Sequence, residues 1–190
     1  MILKYRSDFG DYLNSLHLVG QGAEIGVKRG IFSELILSKW KGQKLFCIDC
    51  WEEQEKVIYN DASNVSQIKQ EEHLKETKKR LKKFGDRFFI IREMSTIAAS
   101  AFDDESLDFV YIDANHKYEY VKQDIETWYT KVRYGGLLSG HDYLNGEIPV
   151  HGNFGVKQAV DEFTKRVGTK IQTTQEPWPS WFFVKNRGLE

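Results

Sequence analysis

The stretch Ala23-Glu24-Ile25-Gly26-Val27-Lys28-Arg29-Gly30, with Leu45-Phe46-Cys47-Ile48-Asp49 after it, decides the fold. The first apolar run ends in an acid and a glycine turn. An amphipathic segment follows (Ile31, Phe32, Leu35, Ile36), and the second apolar run also ends in an acid. This outlines a strand–turn–helix–strand unit that binds a nucleotide-like ligand at its strand ends. Glycine suits the turn because a backbone without side chains lets a ligand come close. The acid closing the second strand is placed to accept hydrogen bonds from ribose hydroxyls. The spacing E-x-G-x-x-x-G is not the G-x-G-x-x-G of a dinucleotide fingerprint.

Outward from that unit, strand-like and helix-like patterns alternate. A short helix is predicted over Phe9–Leu16, a strand over Val19–Ile25, a helix over Gly30–Trp40 and a strand over Lys44–Asp49. Val65, Ile68, Leu74, Leu81 and Phe84 mark an imperfect helical stripe in a polar segment. Phe88–Ile91 and Leu107–Ile112 read as buried strands, with a short helix N-capped by Ser95 between them. Tyr118, Val121, Ile125, Trp128 or Tyr129, and Val132 recur at helical spacing, as do Val156, Ala159, Val160, Phe163 and Val167. Gly135–Gly140 makes a turn and a short central strand. Lys170–Thr174 and Trp181–Val184 close the chain as two strands with no helix between them, so they pair antiparallel. The alternation before them implies parallel pairing through right-handed crossovers.

At 190 residues the chain is expected to form a single domain over 1–190, with 1–18 as an N-terminal helical extension. A hydrophobic content of 41% with 14% aromatics fits a packed globule. A net charge of −1 supplies no field to draw it to nucleic acid or an anionic membrane. No run approaches about 18 consecutive apolar residues, and Met1–Arg6 carries no apolar signal core. The expectation is a soluble, cytoplasmic protein with neither nucleic acid nor membrane as partner. Cys47 and Cys50 form a C-x-x-C without a second ligand pair for zinc, and a buried structural thiol is the plainer reading. Lys75–Lys83 is a basic run in a helical segment also rich in Glu71, Glu72 and Glu76, which reads as a solvated helix face.

Glu24, Asp49, Met94-Ser95, Asp113-Ala114-Asn115-His116 and His141-Asp142-Tyr143 lie at the strand ends, and nearly every one is polar or ionisable immediately after an apolar run. Ligands of open parallel sheets bind beyond the carboxyl ends of the strands. Five polar strand ends in series therefore point to one site built across several strands. Trp51 is placed either to stack on a base or to pack in the core. The loops Cys50–Ser66 and Tyr143–Phe154, the second holding His151, are long enough to act as lids.

Leu107-Asp-Phe-Val-Tyr-Ile-Asp113-Ala-Asn-His116-Lys-Tyr-Glu119, then Asp124-Ile125-Glu126, then Gly135-Gly136-Leu-Leu-Ser-Gly140-His141-Asp142-Tyr143, resembles class I S-adenosylmethionine-dependent methyltransferases. Within them it is similar to a group whose fourth strand ends I-D-x-x-H and whose fifth ends G-H-D, akin to metal-dependent O-methyltransferases of small molecules. The resemblance spans roughly Val19 to Phe163. It implies an α/β fold: a Rossmann-like three-layer sandwich on a seven-stranded, mostly parallel sheet with the last strand antiparallel. It also implies methyl transfer from S-adenosylmethionine to a small-molecule acceptor, most readily a hydroxyl.

Carried over by position, Glu24, Gly26 and Gly30 belong to the methionine end of the cofactor and Asp49 to its ribose. Met94 and Ser95 belong to adenine, and Asp113 sits beside the reactive methyl. Deprotonation of the acceptor has two devices. Asp113, His141 and Asp142 could ligate a divalent cation, magnesium or manganese; alternatively His116 or His141 acts as general base with no metal. A histidine where related enzymes supply an oxygen ligand shifts preference away from magnesium. The rival readings are an NAD(P)-dependent oxidoreductase and a non-catalytic cofactor-binding scaffold. Few insertions leave little dedicated substrate surface, so a homo-oligomer sharing the pocket is a further expectation.

Overall fold

The computed structural model describes residues 2–187. Its central sheet has the order β3-β2-β1-β4-β5-β9-β8. The strands are β1 (Gln21–Ile25), β2 (Lys44–Asp49), β3 (Phe88–Arg92), β4 (Leu107–Ile112), β5 (Val132–Gly140), β8 (Gln172–Thr173) and β9 (Trp181–Val184). β1 to β5 pair in parallel, while β9 runs antiparallel to both β5 and β8. Six strands therefore share one direction, and the last in sequence is inserted against it, as the helix-free final pair predicted. β6 (Asn145–Ile148) and β7 (Gly152–Gly155) form a separate hairpin inside what the sequence suggested was a loop.

Side-chain alternation divides the core into two layers. Phe109 and Tyr111 of β4 join α1 (Phe9–Ser15), α2 (Ile31–Lys39) and α3 (Gln67–Leu81) on one face. Val110 and Ile112 join α4 (Ser95–Ala98), α5 (Tyr118–Lys131) and α6 (Val156–Arg166) on the other. All six residues of β4 are buried, which explains its near-continuous apolar run. This is the three-layer α/β architecture expected. Among the described residues no helix is long and apolar enough to cross a membrane.

Three local readings are corrected, and the open choice at Trp51 is decided. β1 starts at Gln21, and Val19 is exposed. α3 buries Gln70, His73, Leu74, Thr77 and Leu81, whereas Ile68 points to solvent, so its inner face is more polar than the stripe implied. Met94, not Ser95, is the N-cap of α4; the Ser95 hydroxyl instead donates to Asp124 Oδ1 at 2.5 Å. Trp51 is fully buried and donates its indole N–H to the Lys28 carbonyl at 2.7 Å, so it packs in the core and offers no stacking face. Cys47 and Cys50 are free thiols, the former buried.

Candidate active site

Glycine in the first turn is required by the protein's own packing. Gly26 has φ +86°, and a Cβ there would lie 2.0 Å from the Asp113 carbonyl oxygen. The missing side chain lets the β1 turn close on the β4 end, where the Asp113 N–H also donates to the Ile25 carbonyl at 2.7 Å. Gly30 caps α2 in the left-handed region at φ +68° and abuts Thr77 of α3. It shapes the turn without lining the cavity.

That cavity, of about 740 Å³, opens beyond the carboxyl ends of β1 to β5, a size common for ligand pockets. Met94, Ser95 and Asp124 line one end; Glu24, Gly26 and Asp49 line the middle. Asp113, His116, His141 and Asp142 line the other end. The residues nominated from five separate strand ends thus meet on one wall system.

Asp49 is already engaged. Its Oδ2 accepts the Val27 and Lys28 N–H groups at 2.9 and 2.7 Å, and its Oδ1 accepts the Trp51 N–H at 2.8 Å. A carboxylate has about four acceptor positions, so room for a ribose hydroxyl remains on Oδ1. Burial raises its pKa against the pull of these three donors. Lys28 (φ +53°) and Trp51 (φ +45°) adopt left-handed backbone around this carboxylate, a strain of about 1 kcal/mol or more each.

Glu24 is buried, and Ser33 donates to its Oε2 at 2.5 Å. Burial pushes its pKa up to about 8, opposed by the Ser33 bond and by Arg6. Asp124, buried beneath Ser95, is pushed by burial up to about 7, with only the Ser95 bond opposing.

The far end gathers acids around histidines. His116 Nε2 lies 3.2 Å from Asp142 Oδ2 and 3.8 Å from Asp113 Oδ1, and its Nδ1 lies 3.4 Å from Asp61 Oδ2. Burial would lower the pKa of His116, but Asp113, Asp142 and Asp61 together raise it well above the ordinary value. A raised pKa favours the charged imidazolium, which makes His116 a weaker general base than an unperturbed histidine. Its ring stacks on Phe154 of β7, with centroids 4.3 Å apart. Burial also opposes ionisation of Asp61, Asp113 and Asp142, yet the neighbouring cations hold all three low, Asp61 at about 2.

Asp142 adopts φ +55°, a conformation aspartate tolerates better than most residues. His141 Nδ1 lies 2.6 Å from Asp142 Oδ1, yet that oxygen is buried with no hydrogen-bond partner. The two donor atoms converge without bonding each other. With Asp113 they form a group whose ligand atoms all fall within 4.8 Å of one another.

Two residues without a motif complete the site. Arg6 donates from its guanidinium to Asp113 Oδ2 at 2.6 Å and lies 3.9 Å above the Phe32 ring. Asp61 comes from the 50–66 loop, which is held down by Lys117 on the Val57 carbonyl (2.7 Å) and by Asn115 on the Ile58 carbonyl (3.3 Å). Neither follows a strand, so strand-end reasoning passed over both. His151, in the β6–β7 turn, approaches the same Asp61 oxygen at 3.4 Å. Of the basic run Lys75–Lys83, Arg80 and Lys83 both pair with Glu34, outside the site.

Known proteins agree with this architecture. The chain is similar in structure to a protein of Corynebacterium glutamicum, with TM-score 0.64 at 17% identity over 94% of this chain and 81% of that one. It is also similar to the O-methyltransferase TomG of Streptomyces achromogenes, solved with S-adenosylmethionine (TM-score 0.63, 15% identity, 96% and 80% covered). An rRNA methylase of Streptococcus thermophilus superposes with TM-score 0.64 at 15% identity, over 98% of this chain and all of that one. At such identities the likeness is one of fold. No curated protein matches the sequence. Residues 23–143, from the first strand through the His141-Asp142-Tyr143 end of the fifth, match the methyltransferase domain model, and the chain belongs to that family of methyl-transferring enzymes.

Proposed function

We propose that this enzyme transfers a methyl group from S-adenosylmethionine to a hydroxyl of a small-molecule acceptor. The observation that carries the reading is the single cavity joining Met94 and Ser95, through Glu24 and Asp49, to the Asp113–His116–His141–Asp142 cluster. Bound S-adenosylmethionine supplies an electrophilic methyl sulfonium, so the protein's main task is alignment of a nucleophile. Asp49 accepts a ribose hydroxyl on the free side of Oδ1. Met94 and Ser95 meet the adenine. The imidazolium of His116, braced by Asp61 and Phe154, stabilises negative charge developing on the acceptor oxygen. His141 is the second candidate general base.

The donor set also fits a divalent cation: two carboxylates and an imidazole converge, and Asp142 Oδ1 is a buried acceptor lacking a partner. Asp113, His141 and Asp142 would hold it. Bound there, it would lower the pKa of an acceptor hydroxyl, and the mixed N/O set favours manganese, iron or zinc over magnesium. Calorimetric titration with S-adenosylmethionine and with NAD tests the donor. Binding of NAD alone would overturn the reading in favour of an oxidoreductase.

A further inference from the structure

We infer that Arg6 is the anchor for the α-carboxylate of the cofactor's amino-acid portion, delivered by the N-terminal strap; this rests on S-adenosylmethionine being the donor. An amino-acid zwitterion brings one anionic and one cationic group into the cavity. Acids for the ammonium are at hand in Glu24 and Asp113. A cation for the carboxylate is scarcer, because the Lys and Arg residues among the described lining are Arg6, Lys28 and Arg29. Lys28 is exposed and donates to Ser63 Oγ at 3.0 Å, and Arg29 is exposed and paired to Glu76 at 2.6 Å. Arg6 alone of the three faces inward. Its guanidinium sits over the rings of Phe32 and Tyr111, and its Nε is buried with no hydrogen-bond partner.

The strap is built to hold that side chain in place. Leu3 is buried, the Gln175 N–H donates to the Lys4 carbonyl at 2.9 Å, and the Arg6 N–H donates to Glu176. Asp113 divides its oxygens accordingly. Oδ2 takes the guanidinium, and Oδ1 faces His116 and His141. Without cofactor the Arg6–Asp113 pair keeps the guanidinium neutralised. With cofactor, the fork of N–H donors suits a carboxylate bidentately, leaving Asp113 to the ammonium and the acceptor end.

The test is calorimetric titration of wild type, Arg6→Met and Arg6→Lys with S-adenosylmethionine, S-adenosylhomocysteine and methylthioadenosine, which lacks the amino-acid portion. Arg6→Met should weaken the first two by about 10- to 100-fold, the value of a charge-assisted hydrogen bond. It should leave methylthioadenosine within about twofold, and Arg6→Lys should fall between. Retained methylthioadenosine binding also reports that the variant pocket is folded. Equal losses for all three ligands, or none, would overturn the assignment. If wild type binds none of the ligands, the donor reading itself fails and the assignment goes with it.

Discussion

Asp61 Oδ2 lies 3.4 Å from His116 Nδ1, so a loop residue faces the end of the fourth strand across the cavity. With Asp113 and Asp142 on the other ring nitrogen, the imidazole carries a proton well above its ordinary range. Asp61→Asn removes one of those charges and should lower the pKa of His116, readable by NMR titration of the ring. Methyl transfer should slow roughly tenfold, since the oxyanion partner is weakened but kept. An unmoved His116 titration would sink this account of Asp61.

Glu24, with its pKa raised to about 8, is protonated at neutral pH in the free protein. An arriving ammonium favours the ionised form, so cofactor binding near pH 7 should release up to about one proton. Calorimetry in buffers of different ionisation enthalpy counts it, and Glu24→Gln should abolish the dependence. Because the folded pKa lies above the unfolded one, Glu24's contribution to stability is full below about pH 4.5 and is lost as pH rises towards 8. The variant should accordingly gain on wild type across that window in urea unfolding.

Asp124 behaves in the same sense over a lower window. Its carboxyl is raised from 3.8 to about 7 by burial beneath Ser95. Wild type therefore loses stability as pH climbs from about 4 to 7, at about 1.4 kcal/mol per pH unit at most. Asp124→Asn keeps an acceptor for Ser95 and has no proton to lose. Its midpoint should exceed that of wild type at pH 8 and approach it at pH 4. A constant difference across pH would refute burial as the cause.

The fold was legible because β1, β2 and β4 pass abruptly from apolar to polar residues near their ends, and β4 is apolar enough to be buried on both faces. The helix-free gap before Trp181 was enough to foresee the reversed strand. The site was legible only where it lies on strand ends. Arg6 and Asp61 reach it from a strap and a loop, whose positions are set by tertiary contacts such as Gln175 to Lys4 and Lys117 to Val57. The polarity of His116 was also hidden. Its motif gave the ring, but the three carboxylates that raise its pKa come from three separate segments. Ser95 was misread for a related reason: its buried partner, Asp124, lies a whole helix away in sequence.

The convergence of His141 Nδ1 and Asp142 Oδ1 without a hydrogen bond predicts a measurable metal response independent of activity. Adding manganese to metal-stripped protein should raise the thermal midpoint, with about 2.7 kcal/mol of stabilisation at a hundredfold excess over Kd. Asp142→Ala should eliminate the rise, and magnesium should produce a smaller one, because an imidazole in the set disfavours it. Chelator should return wild type to its starting midpoint. If manganese leaves the midpoint unmoved at millimolar concentration while S-adenosylmethionine still raises it, the cation is not part of the site. His141 would then act as base unaided, and methyl transfer should persist in chelator while falling by about 100-fold or more in His141→Ala.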